Sequence, residues 1–191
     1  RILYGVTYTS IEQNKGNREL YVMNLDGSNN VKITSTPKSE SNARWINDSQ
    51  IVYMRGGKLY TAALNGTTLS GEAEVAGGEG MEGFELSPAG DKIMFVKSVK
   101  AAVKPTDLYP DLEKSSGRTY TVLMYRHWDH FVEVVPHTYV ADFNGTQVGE
   151  PADILAGDTA NPESPEKMFE LPTLPFGGLE QLGWSPDGKY I

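Results

Sequence analysis

Phe84-Glu85-Leu86-Ser87-Pro88-Ala89-Gly90-Asp91-Lys92-Ile93-Met94-Phe95 reads as one complete β-hairpin. Pro88 presets φ for a turn, and Gly90 supplies the positive φ that a reversal often needs. The apolar residues on either side can then pair across the turn. The same phrase returns at the end of the chain as Gly183-Trp184-Ser185-Pro186-Asp187-Gly188-Lys189-Tyr190-Ile191, and a weaker copy stands earlier as Ala43-Arg44-Trp45-Ile46-Asn47-Asp48-Ser49-Gln50-Ile51-Val52-Tyr53.

A second phrase alternates with the first: Glu19-Leu20-Tyr21-Val22-Met23-Asn24-Leu25-Asp26-Gly27, Lys58-Leu59-Tyr60-Thr61-Ala62-Ala63-Leu64-Asn65-Gly66 and His137-Thr138-Tyr139-Val140-Ala141-Asp142-Phe143-Asn144-Gly145. Each is a strand that ends in Asp-Gly or Asn-Gly, a strong short-range turn signal. Between the first two copies of each phrase the spacing is about 40 residues, and four short strands at that period are the signature of β-propeller blades. The fold expected is therefore all-β, a partial β-propeller of about three blades of four antiparallel strands.

Naming the strands of a blade A to D from the axis outward, residues 1–36 are the first blade without its strand A. Residues 43–78 are a compact second blade, and 83–156 a third that carries an insertion over 98–137. Residues 157–179 form another insertion, rich in Pro and Gly, and a fourth blade opens at 180–191. Both chain ends fall at equivalent points of a blade, so the chain is expected to be an arc of a larger propeller. Such an arc leaves apolar residues such as Ile2, Tyr4, Trp184 and Tyr190 on uncovered faces and is expected to self-associate.

In such a blade the A–B and C–D turns lie on one side of the disc. The tight Pro-Asp-Gly and Asn-Gly turns all fall there. The long segments 8–18, 98–137 and 157–179 all fall on the other side. Long loops on a rigid scaffold usually carry function, which makes that side the candidate functional face.

Composition limits the partners. The 191 residues are 39% hydrophobic and 22% charged, enough apolar content for a packed core. A net charge of −8 with no basic run argues against nucleic acid and anionic membranes. No apolar run approaches the roughly 20 residues of a membrane span. The absence of cysteine excludes disulfides, a thiol nucleophile and a Cys-type zinc site.

The chemically richest stretch is Tyr120-Thr121-Val122-Leu123-Met124-Tyr125-Arg126-His127-Trp128-Asp129-His130-Phe131. Arg126 offers a planar fork of donors for a carboxylate or a peptide carbonyl. Trp128 can form an aromatic wall, and Asp129 can receive an ammonium group. The plainer reading has the aromatics sealing the insertion onto the sheets, with Arg126 and Asp129 paired. His127, His130 and His137 read first as structural. His127 and His130 converge on a metal only from a helix, and the flanks are β-rich, so neither a metal nor a cofactor is expected. There is no Gly-x-Ser-x-Gly and no phosphate loop, hence no catalytic residue. The sequons at Asn47, Asn65 and Asn144 are better explained as turns, and Glu79, Glu82 and Glu85 as a solvated edge.

The Trp-Ser-Pro-Asp-Gly-Lys-Tyr-Ile and Leu-Tyr-Val-Met-Asn-Leu-Asp-Gly phrases resemble the repeats of TolB-type propellers and of propellers in the prolyl oligopeptidase family. Leu123-Met124-Tyr125-Arg126-His127-Trp128-Asp129, preceded by Asp107-Leu108-Tyr109-Pro110-Asp111-Leu112, resembles the dipeptidyl-peptidase and acylaminoacyl-peptidase branch of that family. The resemblance implies a C-terminal α/β-hydrolase domain with a Ser-Asp-His triad as partner in the parent chain, a short peptide as substrate, and a periplasmic or secreted location. It implies for this chain a non-catalytic role: gating access and helping to bind the peptide end, with Tyr125, Arg126, His127, Trp128 and Asp129 as substrate-binding residues. The paired-glutamate motif that anchors substrate amino termini in dipeptidyl peptidase IV is not recognisable; Glu133 stands alone. The competing reading is a TolB-like or surface-binding propeller with no enzymatic partner domain.

Overall fold

A computed structural model describes residues 1–120, 125–156, 169–174 and 176–191. Among the described residues the regular secondary structure is nearly all strand. Strands β1 (Ile2–Ser10), β2 (Lys15–Met23) and β3 (Val31–Lys32) form a three-stranded antiparallel sheet. Strands β4 (Glu40–Asn47), β5 (Gln50–Arg55), β6 (Lys58–Asn65) and β7 (Thr68–Glu74) form a four-stranded sheet in simple up-and-down order. The third sheet repeats that order with β8 (Gly83–Leu86), β9 (Lys92–Lys100), β12 (Val134–Asp142) and β13 (Ala152–Asp153). Between β9 and β12 lie a short helix, α1 (Pro105–Leu108), and a two-stranded ribbon of β10 (Arg126–His127) and β11 (His130–Phe131).

The hairpin phrase folds as its turn chemistry requires. Phe84 pairs with Phe95 and Leu86 with Ile93. Gly90 has φ +71°, and its N–H donates to Ser87 O at 2.9 Å. The Ser87 hydroxyl donates to Asp91 Oδ1 (2.8 Å) and accepts from Lys92 N–H (3.1 Å), closing the loop on itself. Ser185 does the same in the last copy, accepting from Lys189 and Tyr190 N–H while it donates to Asp187. Gly27, Gly66 and Gly145 end their strands at positive φ. The Asn47 and Asn144 side chains accept from Ser49 and Thr146 N–H, which is the turn role expected at those sequons.

The cores lie between the sheets. In β5 the continuous run Ile51-Val52-Tyr53-Met54 is buried throughout, because successive side chains point to opposite faces and both faces are covered. Ile51 and Tyr53 pack with Leu20 and Val22 of the first sheet. Val52 and Met54 pack with Phe84, Ile93 and Phe95 of the third.

Two polar joints accompany this packing. Asn42 sits at φ +50°, beside a register shift in β4, and its amide accepts from Phe84 N–H (2.7 Å) and donates to Phe84 O (3.0 Å). It thereby pairs backbone groups on the outer edge of β8, which the sheet itself leaves unpaired. Arg44 forks onto Glu85 of the next sheet, Nε to Oε2 at 2.9 Å. Glu85 is thus an inter-sheet partner and not part of a solvated edge. Its acidic neighbours gave no sign of this, because the pairing is made by a residue 41 positions away.

The segment 8–18 also differs from the long polar loop expected there. Pairing of β1 with β2 runs on through Tyr8↔Asn17 and Ser10↔Lys15, so that only four residues turn, with Asn14 at φ +45°. Backbone pairing continues past the apolar core because a two-stranded ribbon needs no buried face to keep its hydrogen bonds.

Candidate functional site

Strands β9 and β12 are long, and their pairing carries to Val134↔Lys100. The insertion stands on this extension, and its base is a small core of Val132 and Val135 with Val99 and Ala101. The N–H groups of Ala101 and Ala102 both donate to Glu133 O. The Glu133 side chain is fully engaged as well, accepting from Lys104 Nζ at 2.7 Å and from Arg118 Nε at 2.7 Å. Lys104 first, and Arg118 with it, hold this carboxyl below the usual range. Two cations thus already pair with Glu133.

The five sequence-predicted residues lie together in and beside the ribbon. Residues 121–124 of that stretch fall outside the described residues. Arg126 pairs with Phe131 and His127 with His130, and Trp128 and Asp129 make the two-residue turn between them. Trp128 has φ +48°, a conformation that bulky residues seldom adopt. Val132 N–H closes the ribbon onto Tyr125 O at 2.9 Å.

The Arg126–Asp129 pairing of the plainer reading is not formed. Asp129 is 93% exposed and accepts instead from His130 Nδ1 at 3.0 Å, the main cause of its lowered carboxyl pKa. Arg126 is exposed, with its guanidinium 6.0 Å from the Phe131 ring centre and no carboxylate within ion-pair distance among the described residues. Arg118 flanks the same ring at 4.9 Å. Tyr125 is exposed and tilts against Tyr120, with ring centres 5.7 Å apart. His127 turns inward: its Nε2 lies 2.7 Å from Glu170 Oε1. No cluster of metal-ligating side chains occurs among the described residues.

Glu170 belongs to the second insertion, of which residues 157–168 and 175 fall outside the described residues. Leu171 anchors this segment, its N–H donating to Pro136 O (2.9 Å) and its carbonyl accepting from the Thr138 hydroxyl (2.8 Å). Thr138 alternates with Tyr139, whose ring stacks on Phe95, so the Thr138 side chain points away from the second sheet. Further along, Phe176 meets Trp128 edge to face, ring centres 5.1 Å apart. The two insertions therefore converge. A groove of about 420 Å³ runs beside the ribbon, lined among others by Arg118, His127, His130, Phe131, Glu133 and Leu174. Sequence reasoning missed Glu170, Leu174 and Phe176, which irregular chain separates from the ribbon. Their only signal was an acid and an aromatic in a Pro-Gly-rich stretch.

No protein-family model matches the chain. It is 35% identical to dipeptidyl-peptidase 5 of Porphyromonas gingivalis over 192 residues, covering 99% of this chain and 27% of that protein. Dipeptidyl-peptidase 5 of Porphyromonas endodontalis is 31% identical over 196 residues, covering 100% of this chain and 27% of the relative. The chain thus spans about a quarter of the length of the curated relatives it matches. Among solved structures, Pyrococcus horikoshii acylaminoacyl peptidase aligns with a TM-score of 0.55 at 18% identity, over 79% of this chain and 22% of that one. An acylaminoacyl peptidase in complex with Z-Gly-Gly-Phe-chloromethyl ketone aligns with a TM-score of 0.56 at 19% identity, over 79% and 23%. The structural likeness is one of fold. In sequence, the chain is homologous along its whole length to one part of proteins named as peptidases.

Proposed function

We propose that the chain is an arc of a β-propeller in a serine exopeptidase. In this reading its sheets are successive blades, and it restricts access to a hydrolase domain while holding the free end of a short peptide. The observation that carries this reading is the ribbon turn. Arg126 and Asp129 stand three residues apart with Trp128 between them, and neither charge is spent on the other. A cation, an aromatic face and an anion at one exposed turn complement a peptide end, which presents a carbonyl, a side chain and an ammonium group. The names of the sequence relatives, dipeptidyl-peptidases, support a short peptide as the substrate class in this reading. Because Glu133 is occupied by Lys104 and Arg118, the ammonium partner in this reading is Asp129.

Arg126→Ala and Asp129→Ala, made in the intact gene product, are expected to lower kcat/KM for short peptides roughly ten- to a hundredfold. A charge-assisted hydrogen bond is worth on the order of 1.5–3 kcal/mol. Both side chains are exposed, so thermal unfolding is expected to stay within a few degrees of wild type. Variants that retain full activity would remove the ribbon from the substrate's path.

A further inference from the structure

Leu171 is fixed to β12, and Phe176 is packed on Trp128. Between these points Glu170, with a side chain 6% exposed, uses both of its oxygens. Oε1 meets His127 Nε2, and Oε2 accepts from Leu174 N–H at 3.0 Å. One carboxylate thus holds the bend of its own segment and the inward face of the ribbon. Trp128 and Phe176 behave differently. Their planes cross at 69°, yet they are 71% and 79% exposed. Two rings set nearly at right angles, each with a free face, make a corner with two apolar walls. Such a corner stabilises a third apolar group more than either ring alone can, since that group loses water on two sides. The corner opens in the same turn as the Arg126 and Asp129 charges, so the charge pattern that suits a peptide end also says what fills it.

We infer that Glu170 and Phe176 belong to the second half of the peptide-end site: Phe176 and Trp128 select peptides whose free end carries a bulky apolar side chain, and Glu170 is the positioning residue that holds the turn in place through His127. This rests on the reading of the ribbon as a peptide-binding element. It adds the class of side chain that is preferred and two residues from a separate insertion. The unusual φ of Trp128 fits the same role, because a bulky residue stays in that region only when its surroundings hold it there.

The test uses the intact gene product and a series of dipeptidyl chromogenic substrates that differ only in the residue bearing the free amino group: Gly, Ala, Leu and Phe. Wild type is expected to prefer Leu and Phe. Phe176→Ala is expected to reduce the Phe-over-Gly ratio of kcat/KM about tenfold, mostly through KM. Glu170→Ala is expected to raise KM for every member of the series three- to tenfold with kcat little changed. Glu170→Gln should recover most of that loss, because its amide can accept from Leu174 N–H and donate to His127 Nε2. If Arg126→Ala and Asp129→Ala depress activity while Phe176→Ala leaves the ratio where it was, the apolar corner is overturned and the peptide-end reading stands. If none of these variants changes the kinetics, both are overturned. Phe176 is exposed, so its replacement is expected to leave the melting temperature unchanged, and that measurement accompanies each variant.

Discussion

Phe84→Ala is expected to destabilise the fold by about 3–5 kcal/mol, the usual range for deleting a buried phenylalanine ring. Phe84 has no exposed surface and packs among Met54, Leu59, Ile93 and Phe95. It also lies beside the Asn42 clasp, so the neighbouring sheet is held in place and has little freedom to collapse into the vacated space. The resulting cavity would stay open, which puts the expected cost toward the upper end. Against a total stability of about 5–15 kcal/mol for an ordinary domain, that is a large fraction. Urea denaturation followed by tryptophan fluorescence reads it as a lower midpoint at unchanged slope. A loss under about 1 kcal/mol would mean that the second and third sheets do not depend on this interface.

Arg55→Ala is expected to cost a similar amount for a different reason. The Arg55 side chain is 15% exposed and forks onto Glu72, with Nη1 to Oε2 at 3.0 Å. Its guanidinium lies over the Tyr60 ring at 4.3 Å and is the cation next to Glu40, at 3.7 Å. Glu40 is fully buried. It accepts from the Thr36 hydroxyl at 2.6 Å and shares the single Thr34 hydroxyl proton with Glu19 (2.8 and 2.9 Å). Removing Arg55 takes away the cation beside that buried carboxylate, a change that typically costs about 3–5 kcal/mol. Glu40→Gln in the same background removes the stranded charge and should restore part of the loss, a coupling that a double-mutant cycle measures.

The pH dependence of the same pair has a definite sign. Hydrogen bonding from Arg55 first, and from Tyr53, holds the Glu72 carboxyl below its ordinary 4.5. A depressed folded pKa stabilises the fold above about 4.5, and that stabilisation is lost as pH falls through the lower folded value. Arg55→Ala should therefore flatten the acid limb of the stability curve as well as lower it. An Arg55→Ala protein as stable as wild type at pH 7, with the acid limb intact, would contradict this account of the network.

What could be read in advance follows the range of the interactions. Turns are local, and their chemistry sits in adjacent residues. Gly27, Gly66, Gly90 and Gly145 take positive φ where the Asp-Gly, Asn-Gly and Ala-Gly phrases placed it. The β8–β9 hairpin pairs across the turn that Ser87-Pro88-Ala89-Gly90 marked. Contacts between irregular segments leave no such trace. His127 meets Glu170 across 43 residues, and Arg44 meets Glu85 across 41, with no spacing rule to announce either. Arg126, Trp128 and Asp129 could be singled out because rare side chains with free chemistry stood close together. Phe176 could not, because one aromatic in a Pro-Gly-rich stretch looks like any other. The engagement of Glu133 was equally hidden: Lys104 and Arg118, which reach it, stand 29 and 15 residues before it in the chain.

A crystal structure of the intact gene product with a non-hydrolysable dipeptide, Phe at its free end, bound at saturating concentration, tests the peptide-end site directly. The ammonium group of the ligand is expected within hydrogen-bond distance of Asp129, a ligand carbonyl on the Arg126 guanidinium, and the phenyl ring in the corner of Trp128 and Phe176. A dipeptide held elsewhere, with Arg126, Trp128 and Asp129 still facing solvent, would contradict it.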